Sequence, residues 1–278
     1  MKNHMILLSG PMRSGTSILS KLIASYKSVN FFYEPQTFIK ILKKKDFNLA
    51  DNYSLFSLLI PAMSGRFINF NKNDSTYIYN YKMKSEVMKK ISKSWSETSI
   101  FKEQKNETIL IKYPSFVDEI ANYKSNLFPQ TKIFTFREPI EVLNSLMKKG
   151  YSSTRYCNSL LEGDYEKFKN KKIPLFIKKK NYQTFLNADE LGRCLIYYNQ
   201  VMSSNFKNFD FVFDYKNLFT KNIKFIKKFL DKKKLKNTKK TQLIINTFKK
   251  KKIKKIELNI SKNNQTLFNE SGKLYARL

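Results

Sequence analysis

A chain of 278 residues can bury one sizeable core or two small ones, and 41% hydrophobic with 15% aromatic content excludes a disordered polymer. The 53 Lys+Arg against 22 Asp+Glu give a formal net charge of +31, which invites a nucleic acid or an acidic polymer as partner. Only six of those cations are arginine and 47 are lysine, in a chain also rich in Asn, Ile and Phe. A/T-rich coding supplies most of the lysine on this reading, no specific nucleic acid is expected, and each arginine is more informative than any lysine.

The first readable element is Met5-Ile6-Leu7-Leu8, an apolar run that stops at Ser9-Gly10, the pattern of a buried strand reaching a turn. Gly10 to Ser17 form a small polar loop, after which Ile18, Leu19, Leu22, Ile23 and Tyr26 recur at helical spacing. A loop between strand and helix aims backbone N–H groups and the positive end of the helix dipole at whatever lies above it, and an anion is the natural guest. Gly10 and Gly15 stand five apart with Ser17 two beyond, the spacing of a nucleotide-binding P-loop. Thr16, however, replaces the Lys of ATP- and GTP-binding loops, and the cation is Arg13 instead. The plain alternative is a glycine turn that binds nothing.

Val29 to Tyr33 read as a second strand ending at Glu34-Pro35, where Pro35 opens a helix carrying Phe38, Ile39, Ile41 and Leu42. Glu34 then either stabilises a helix start or, at the crevice outside the strand ends, acts as a general base. Residues 43–105 read as a helical insert, with helices over 54–63 and 83–95. Thr108 to Ile111 form a third strand, followed by Lys112-Tyr113-Pro114. Ile133 to Phe136 form a fourth, followed by Arg137-Glu138-Pro139 and a helix with Ile140, Leu143, Leu146 and Met147 on its apolar face. Arg137 leaves the strand end and Ser145 lies two turns into that helix, so both can face one phosphate, the Arg as a forked permanent charge and the Ser as a hydroxyl donor. Alternatively Arg137 pairs with Glu138 or Glu141. Residues 151–187 read as loop and short helix with solvated lysines. A long amphipathic helix follows (Leu191 to Met202), then a strand over Phe209 to Phe213 ending at Asp214, then a helix bearing Phe225, Ile226, Phe229 and Leu230. The remaining tail, about 235–278, reads as lysine-rich helix.

Cys157 and Cys194 have no CxxC spacing, and His4 leaves no second histidine for a His-based zinc site or a Ser-His-Asp triad. No apolar run is long enough to span a bilayer and no signal peptide precedes the first strand, so a cytoplasmic protein is expected.

Arg13-Ser14-Gly15-Thr16-Ser17 after a strand resembles the 5′-phosphosulfate loop of sulfotransferases that use 3′-phosphoadenosine-5′-phosphosulfate (PAPS). Arg137-x-Pro139-x5-Ser145 resembles their 3′-phosphate motif, and Phe31-Phe32-Tyr33-Glu34-Pro35 with Lys112-Tyr113-Pro114 is similar to segments of the carbohydrate and bacterial members. The resemblance runs, with gaps, from Met5 to about Leu230. It implies an α/β fold, with a central parallel sheet flanked by helices, and one P-loop-like sulfotransferase domain over 1–278. In it the insert of about 43–105 shapes the acceptor side. It further implies sulfuryl transfer from PAPS to a hydroxyl acceptor on a carbohydrate (glycan, glycolipid or polysaccharide), with no metal required. Arg13, Ser14, Gly15, Thr16 and Ser17 would cradle the 5′-phosphosulfate, and Arg137 and Ser145 would hold the 3′-phosphate. Glu34 would be the base, Lys112 would lie near the sulfuryl group or the acceptor, and Ser271-Gly272-Lys273 with Arg277 would form a closing loop. His4 is the other candidate base, but it precedes the first strand, at the wrong end. Two further readings stand beside this one. The first is a Mg²⁺-dependent P-loop kinase or NTPase using Ser17 and Asp214. The second is a basic, non-enzymatic nucleic-acid-binding protein.

Overall fold

In β1 (His4–Ser9), Met5 and Leu7 enter one core while Ile6 and Leu8 enter another. That alternation is what a strand buried on both faces requires. The computed structural model describes residues 4–26, 29–34, 77–80, 108–124, 128–160, 164–218, 220–233, 235–249 and 256–278. The other described strands are β2 (Val29–Tyr33), β3 (Tyr77–Asn80), β4 (Thr108–Lys112), β5 (Gln130–Phe136), β6 (Tyr165–Phe168), β7 (Lys171–Pro174) and β8 (Phe211–Asp214). The main sheet runs β3-β2-β4-β1-β5-β8. From β2 to β8 every pairing is parallel, and β3 adds antiparallel to β2 at the edge.

The described helices in chain order are α1 (Thr16–Ala24), α2 (Val117–Asn122), α3 (Pro139–Met147), α4 (Thr154–Ser159), α5 (Tyr182–Asn187), α6 (Glu190–Met202), α7 (Lys221–Lys232), α8 (Lys239–Lys249) and α9 (Lys262–Ala276). Leu19, Leu22 and Ile23 of α1 and Ile223, Ile226 and Leu230 of α7 cover one face of the sheet. Ile120 of α2, Val142, Leu143 and Leu146 of α3 and most of α6 cover the other. The expected α/β architecture with a central parallel sheet is therefore the observed one. With helices on both faces, the chain's loops collect at the strand ends, and the carboxyl ends of β1, β2, β4 and β5 form one rim.

Three features differ from the sequence reading. Tyr77–Asn80 is a strand inside the stretch expected to be helical; its Tyr-Ile-Tyr core has high strand preference, and it pairs along the edge of β2. The rest of that stretch, including the helices expected over 54–63 and 83–95 and the one after Pro35, lies outside the described residues. A hairpin, β6–β7, occupies part of 151–187. Its two turn residues, Lys169 and Asn170, both take positive φ (49° and 59°), as a tight hairpin turn demands, without the glycine that normally signals one. Ser271-Gly272-Lys273 lie within α9, not in a loop. There Ser271 is buried and donates to the Leu267 carbonyl at 3.0 Å, while Asn199 of α6 donates to the same carbonyl at 2.9 Å. This packing explains why α6, expected to be amphipathic, is buried nearly all round. Among the described residues no helix is long and apolar enough to cross a membrane.

Candidate functional site

The loop after β1 is held in shape by its neighbours. Gly10 lies so close to β5 that a Cβ there would meet the Thr135 carbonyl oxygen at 2.1 Å. Gly15 takes φ 95°, and a Cβ on it would meet the Tyr215 ring at 2.3 Å. Ser14 is buried, donating through Oγ to the Thr135 carbonyl (2.9 Å) and through its N–H to the Pro11 carbonyl (3.2 Å). Its hydroxyl therefore braces the loop against β5. Arg13 takes φ 68°, an uncommon conformation for a side-chain-bearing residue. The N–H groups of Thr16 and Ser17 open α1 and have no partner within it, so they are donors available at the loop's mouth.

The loops after β2 and β4 are stitched to the first one through backbone. Tyr113 N–H donates to the Leu8 carbonyl and Ser115 N–H to the Gly10 carbonyl, both at 2.9 Å. Glu34 N–H donates to the Lys112 carbonyl at 2.9 Å, one step beyond the Tyr33–Lys112 register pair. This register sets the two side chains together, and the Lys112 ammonium pairs with the Glu34 carboxylate. Lys112 is only 2% exposed and Glu34 is 32% exposed, so the carboxylate is the half of the pair that meets solvent. Glu34 also takes a positive φ of 48° and Ser115 one of 76°.

Arg13, Thr16, Ser17, Glu34 and Lys112 line one cavity of about 350 Å³. The same cavity is also lined by the aromatic residues Tyr113, Phe116, Tyr151, Tyr156 and Phe176. Burial pushes the Tyr156 phenol above its usual range, with the Tyr151, Cys157, Asp164 and Glu34 charges adding to the shift, so it stays a neutral hydroxyl. Sequence reasoning missed Tyr197. It is fully buried on α6, and its hydroxyl accepts from the Met12 N–H at 2.6 Å and pairs with Ser115 Oγ at 2.7 Å. One phenol thus ties the loop after β1 to the loop after β4. Burial also holds its pKa well above the usual tyrosine value.

Arg137 and Ser145 stand beside this cavity, not among its lining residues. Arg13 Nε donates to Ser145 Oγ at 2.8 Å, which joins the two motif segments directly. Arg137 is gripped by Glu141, through Nε at 2.8 Å and Nη2 at 3.2 Å, the pairing the sequence reading had held as its alternative. Its guanidinium carbon lies 4.4 Å from the centre of the Tyr215 ring, a stacked cation–π arrangement. The Nη1 edge makes only a long 3.5 Å contact with the Arg13 carbonyl, so that edge is the one placed to take an anion. Tyr215 was not singled out from sequence. Its ring packs against Gly15 and Arg137 together, and burial raises its phenol pKa while Arg137 opposes the shift.

The remaining candidates lie elsewhere. His4 begins β1, at the opposite end of the sheet, with Nε2 at 2.9 Å from Thr131 Oγ1. Asp214 accepts from the Lys216 N–H and from the Tyr275 hydroxyl, each at 3.0 Å, and does not line the cavity. Cys157 and Cys194 are buried free thiols. Among the described residues no group of three His, Cys, Asp or Glu side chains is arranged to hold a metal ion.

No family model matches the sequence, and the curated proteins give no match. Among solved structures the chain is similar to sulfotransferase STF1 from Mycobacterium tuberculosis H37Rv, with 10% identity over the whole of this chain and 78% of that one, at a TM-score of 0.41.

Proposed function

We propose that the protein transfers a sulfuryl group from PAPS to a hydroxyl acceptor, with a carbohydrate as the acceptor class. The observation that carries this reading is the Arg13–Ser145 hydrogen bond. Two segments that resemble the 5′- and 3′-phosphate motifs of one enzyme family are 132 residues apart in the chain and touch through Arg13, which lines the cavity. Chance glycine turns and stray helix serines give no reason for that contact.

On this reading the open N–H groups of Thr16 and Ser17, with Arg13, receive the 5′-phosphosulfate. The Nη1 edge of Arg137, with Ser145, receives the 3′-phosphate. Glu34 takes the proton of the acceptor hydroxyl as its oxygen bonds to sulfur. The bond between sulfur and the bridging phosphate oxygen breaks, and 3′,5′-ADP leaves with its charge facing Arg13 and the loop donors. Fixed donors aimed at developing charge are the largest single source of catalysis in such transfers. Lys112, beside Glu34, faces the sulfuryl oxygens. Arg137 is already paired, so its role requires Glu141 to orient the guanidinium while one edge stays open.

Calorimetric titration with 3′,5′-ADP, with ATP–Mg²⁺ as comparison, tests the donor site. Metal-free 3′,5′-ADP binding is expected, weakened about 10–100-fold by Arg13→Ala or Arg137→Ala, as loss of charge-assisted hydrogen bonds implies. Binding of ATP–Mg²⁺ alone would overturn the reading in favour of a P-loop kinase or NTPase.

A further inference from the structure

Tyr156 differs from other phenols near the site. Tyr182, Tyr198 and Tyr275 donate through their hydroxyls to Glu166 at 2.9 Å, the Arg137 carbonyl at 2.8 Å and Asp214 at 3.0 Å. The Tyr197 hydroxyl is matched to Met12 and Ser115. The Tyr156 hydroxyl has no hydrogen-bond partner among the described residues, although burial raises its pKa above the usual range. A phenol taken out of water normally finds a partner. This one keeps its proton and lines a cavity, so it is a donor aimed at whatever fills that cavity.

The segment that carries Tyr156 is pinned on both sides. Ser153 Oγ accepts from the Tyr156 N–H at 3.1 Å. Arg193 Nη1 donates to the Ser152 carbonyl and to Thr154 Oγ1, each at 3.3 Å. Beyond α4, the Lys172 ammonium donates to the Leu160 carbonyl at 2.8 Å. Cys157 is buried in the core, and the Tyr156 ring packs edge-on against Tyr151 with centroids 5.2 Å apart. The hydroxyl is thus held in place by contacts that leave its own bonding capacity unused.

Tyr156 lines the same cavity as Arg13, Thr16, Ser17 and Glu34. After burial, the Glu34 charge is among those that raise its pKa, and Tyr156 in turn adds to the shift that burial imposes on Tyr197, whose hydroxyl holds the Met12 N–H of the loop after β1. The phenol is therefore within electrostatic reach of both that loop and the Glu34 carboxylate. If the loop receives the phosphosulfate and Glu34 takes the acceptor's proton, the sulfuryl group sits between them. Resting on that sulfuryl-transfer reading, we infer that Tyr156 recognises the sulfuryl group itself, its hydroxyl donating to a sulfuryl oxygen of PAPS alongside Lys112. Sulfuryl oxygens accept and cannot donate, so a fixed neutral donor matches them. As the group moves, the bond from sulfur to the bridging phosphate oxygen breaks, the bond to the acceptor oxygen forms, Glu34 takes the acceptor's proton, and Tyr156 keeps its own. The product 3′,5′-ADP carries no sulfuryl oxygen, so this hydrogen bond favours the donor over the product.

Calorimetric titration of the full chain with PAPS and with 3′,5′-ADP, without acceptor, in wild type and Tyr156→Phe tests this. The variant is expected to lose about tenfold in PAPS affinity, as the loss of one hydrogen bond to a charged group implies, with 3′,5′-ADP affinity unchanged. A purely structural role would move both affinities together or neither. PAPS affinity that does not fall, or that falls in step with 3′,5′-ADP, overturns the inference and leaves the donor reading standing as long as wild type binds 3′,5′-ADP. The substitution keeps the ring and removes a hydroxyl with no partner in the protein, so the thermal midpoint should not fall. A lower midpoint would mean that the hydroxyl is already engaged, which also overturns the inference. If wild type binds neither nucleotide, the donor reading fails and the Tyr156 role falls with it.

Discussion

Both ends of the parallel sheet carry ionic side chains, but they use them in opposite ways. At the amino end, Lys132 is 7% exposed and its ammonium donates to the Ala121 carbonyl at 2.5 Å, while its N–H donates to Asp210 at 2.7 Å. His4 pairs with Thr131 and lies beside Lys233. This cluster lies outside the cavity, and its polar groups are matched to one another and to backbone. At the carboxyl end, Arg13, Glu34 and Lys112 face a cavity, and the chain bends to bring them there. Arg13, Glu34 and Ser115 all hold positive φ. Residues held in such conformations cost of order 1–3 kcal/mol each and concentrate at functional sites. Charge alone therefore does not distinguish the two ends; charge facing a cavity, on strained loops, does.

The sharpest way to break this comparison is Gly10→Ala. The added methyl would collide with the Thr135 carbonyl, a backbone atom of a central strand that has no room to retreat. A loss of about 3 kcal/mol or more in urea-measured stability is expected. A loss under about 1 kcal/mol would show that the loop relaxes freely, and the strained-end argument would fail. Tyr197→Phe comes next. It removes the hydroxyl that takes the Met12 N–H and pairs with Ser115, leaving a buried donor unmatched, at about 1–3 kcal/mol. Because both partners belong to cavity loops, 3′,5′-ADP binding should weaken along with stability. Unchanged binding would reduce Tyr197 to a packing residue.

How much of this was legible in the sequence follows from where local signals are strong. β1, the Gly10–Ser17 loop and α1 could be read because an apolar run, a glycine turn and a helical period abut with nothing intervening. β5, Arg137 and α3 could be read for the same reason, with Pro139 marking the helix start. Tyr197 could not. On a helix buried nearly all round, a hydroxyl that braces two loops has the same periodic signature as a core ring. Tyr215 gave no signal either, since its role depends on three segments meeting at Gly15 and Arg137. Of the scarce arginines, Arg13 and Arg137 lie in contact at the candidate site, Nη1 of Arg137 standing 3.5 Å from the Arg13 carbonyl. Arg193 instead staples the Phe185 and Ser152 carbonyls at 3.0 and 3.3 Å and contributes no lining to the cavity.

The smallest effect tests the other end of the sheet. Burial first, and then the Lys233 charge, lower the His4 pKa from 6.5 to about 4 against the opposing pull of Asp210. Among the described residues, Phe229 stands at 6.5 Å between ring centroids and Thr131 at hydrogen-bond distance, and neither is an anion. The folded state thus binds fewer protons here than the unfolded chain does. Stability should be full above pH 6.5, fall as the pH drops below that value, and stop falling from this source below about pH 4. His4→Gln removes the titration while keeping a side chain able to reach Thr131. The difference between the pH–stability curves of wild type and variant between pH 6.5 and 4 isolates the His4 contribution. 3′,5′-ADP affinity should follow neither the variant nor this window, because the imidazole lies at the far end of β1 from Arg13. A matching loss of affinity in His4→Gln would mean that the two ends of the sheet are coupled, and that the separation drawn between them is wrong.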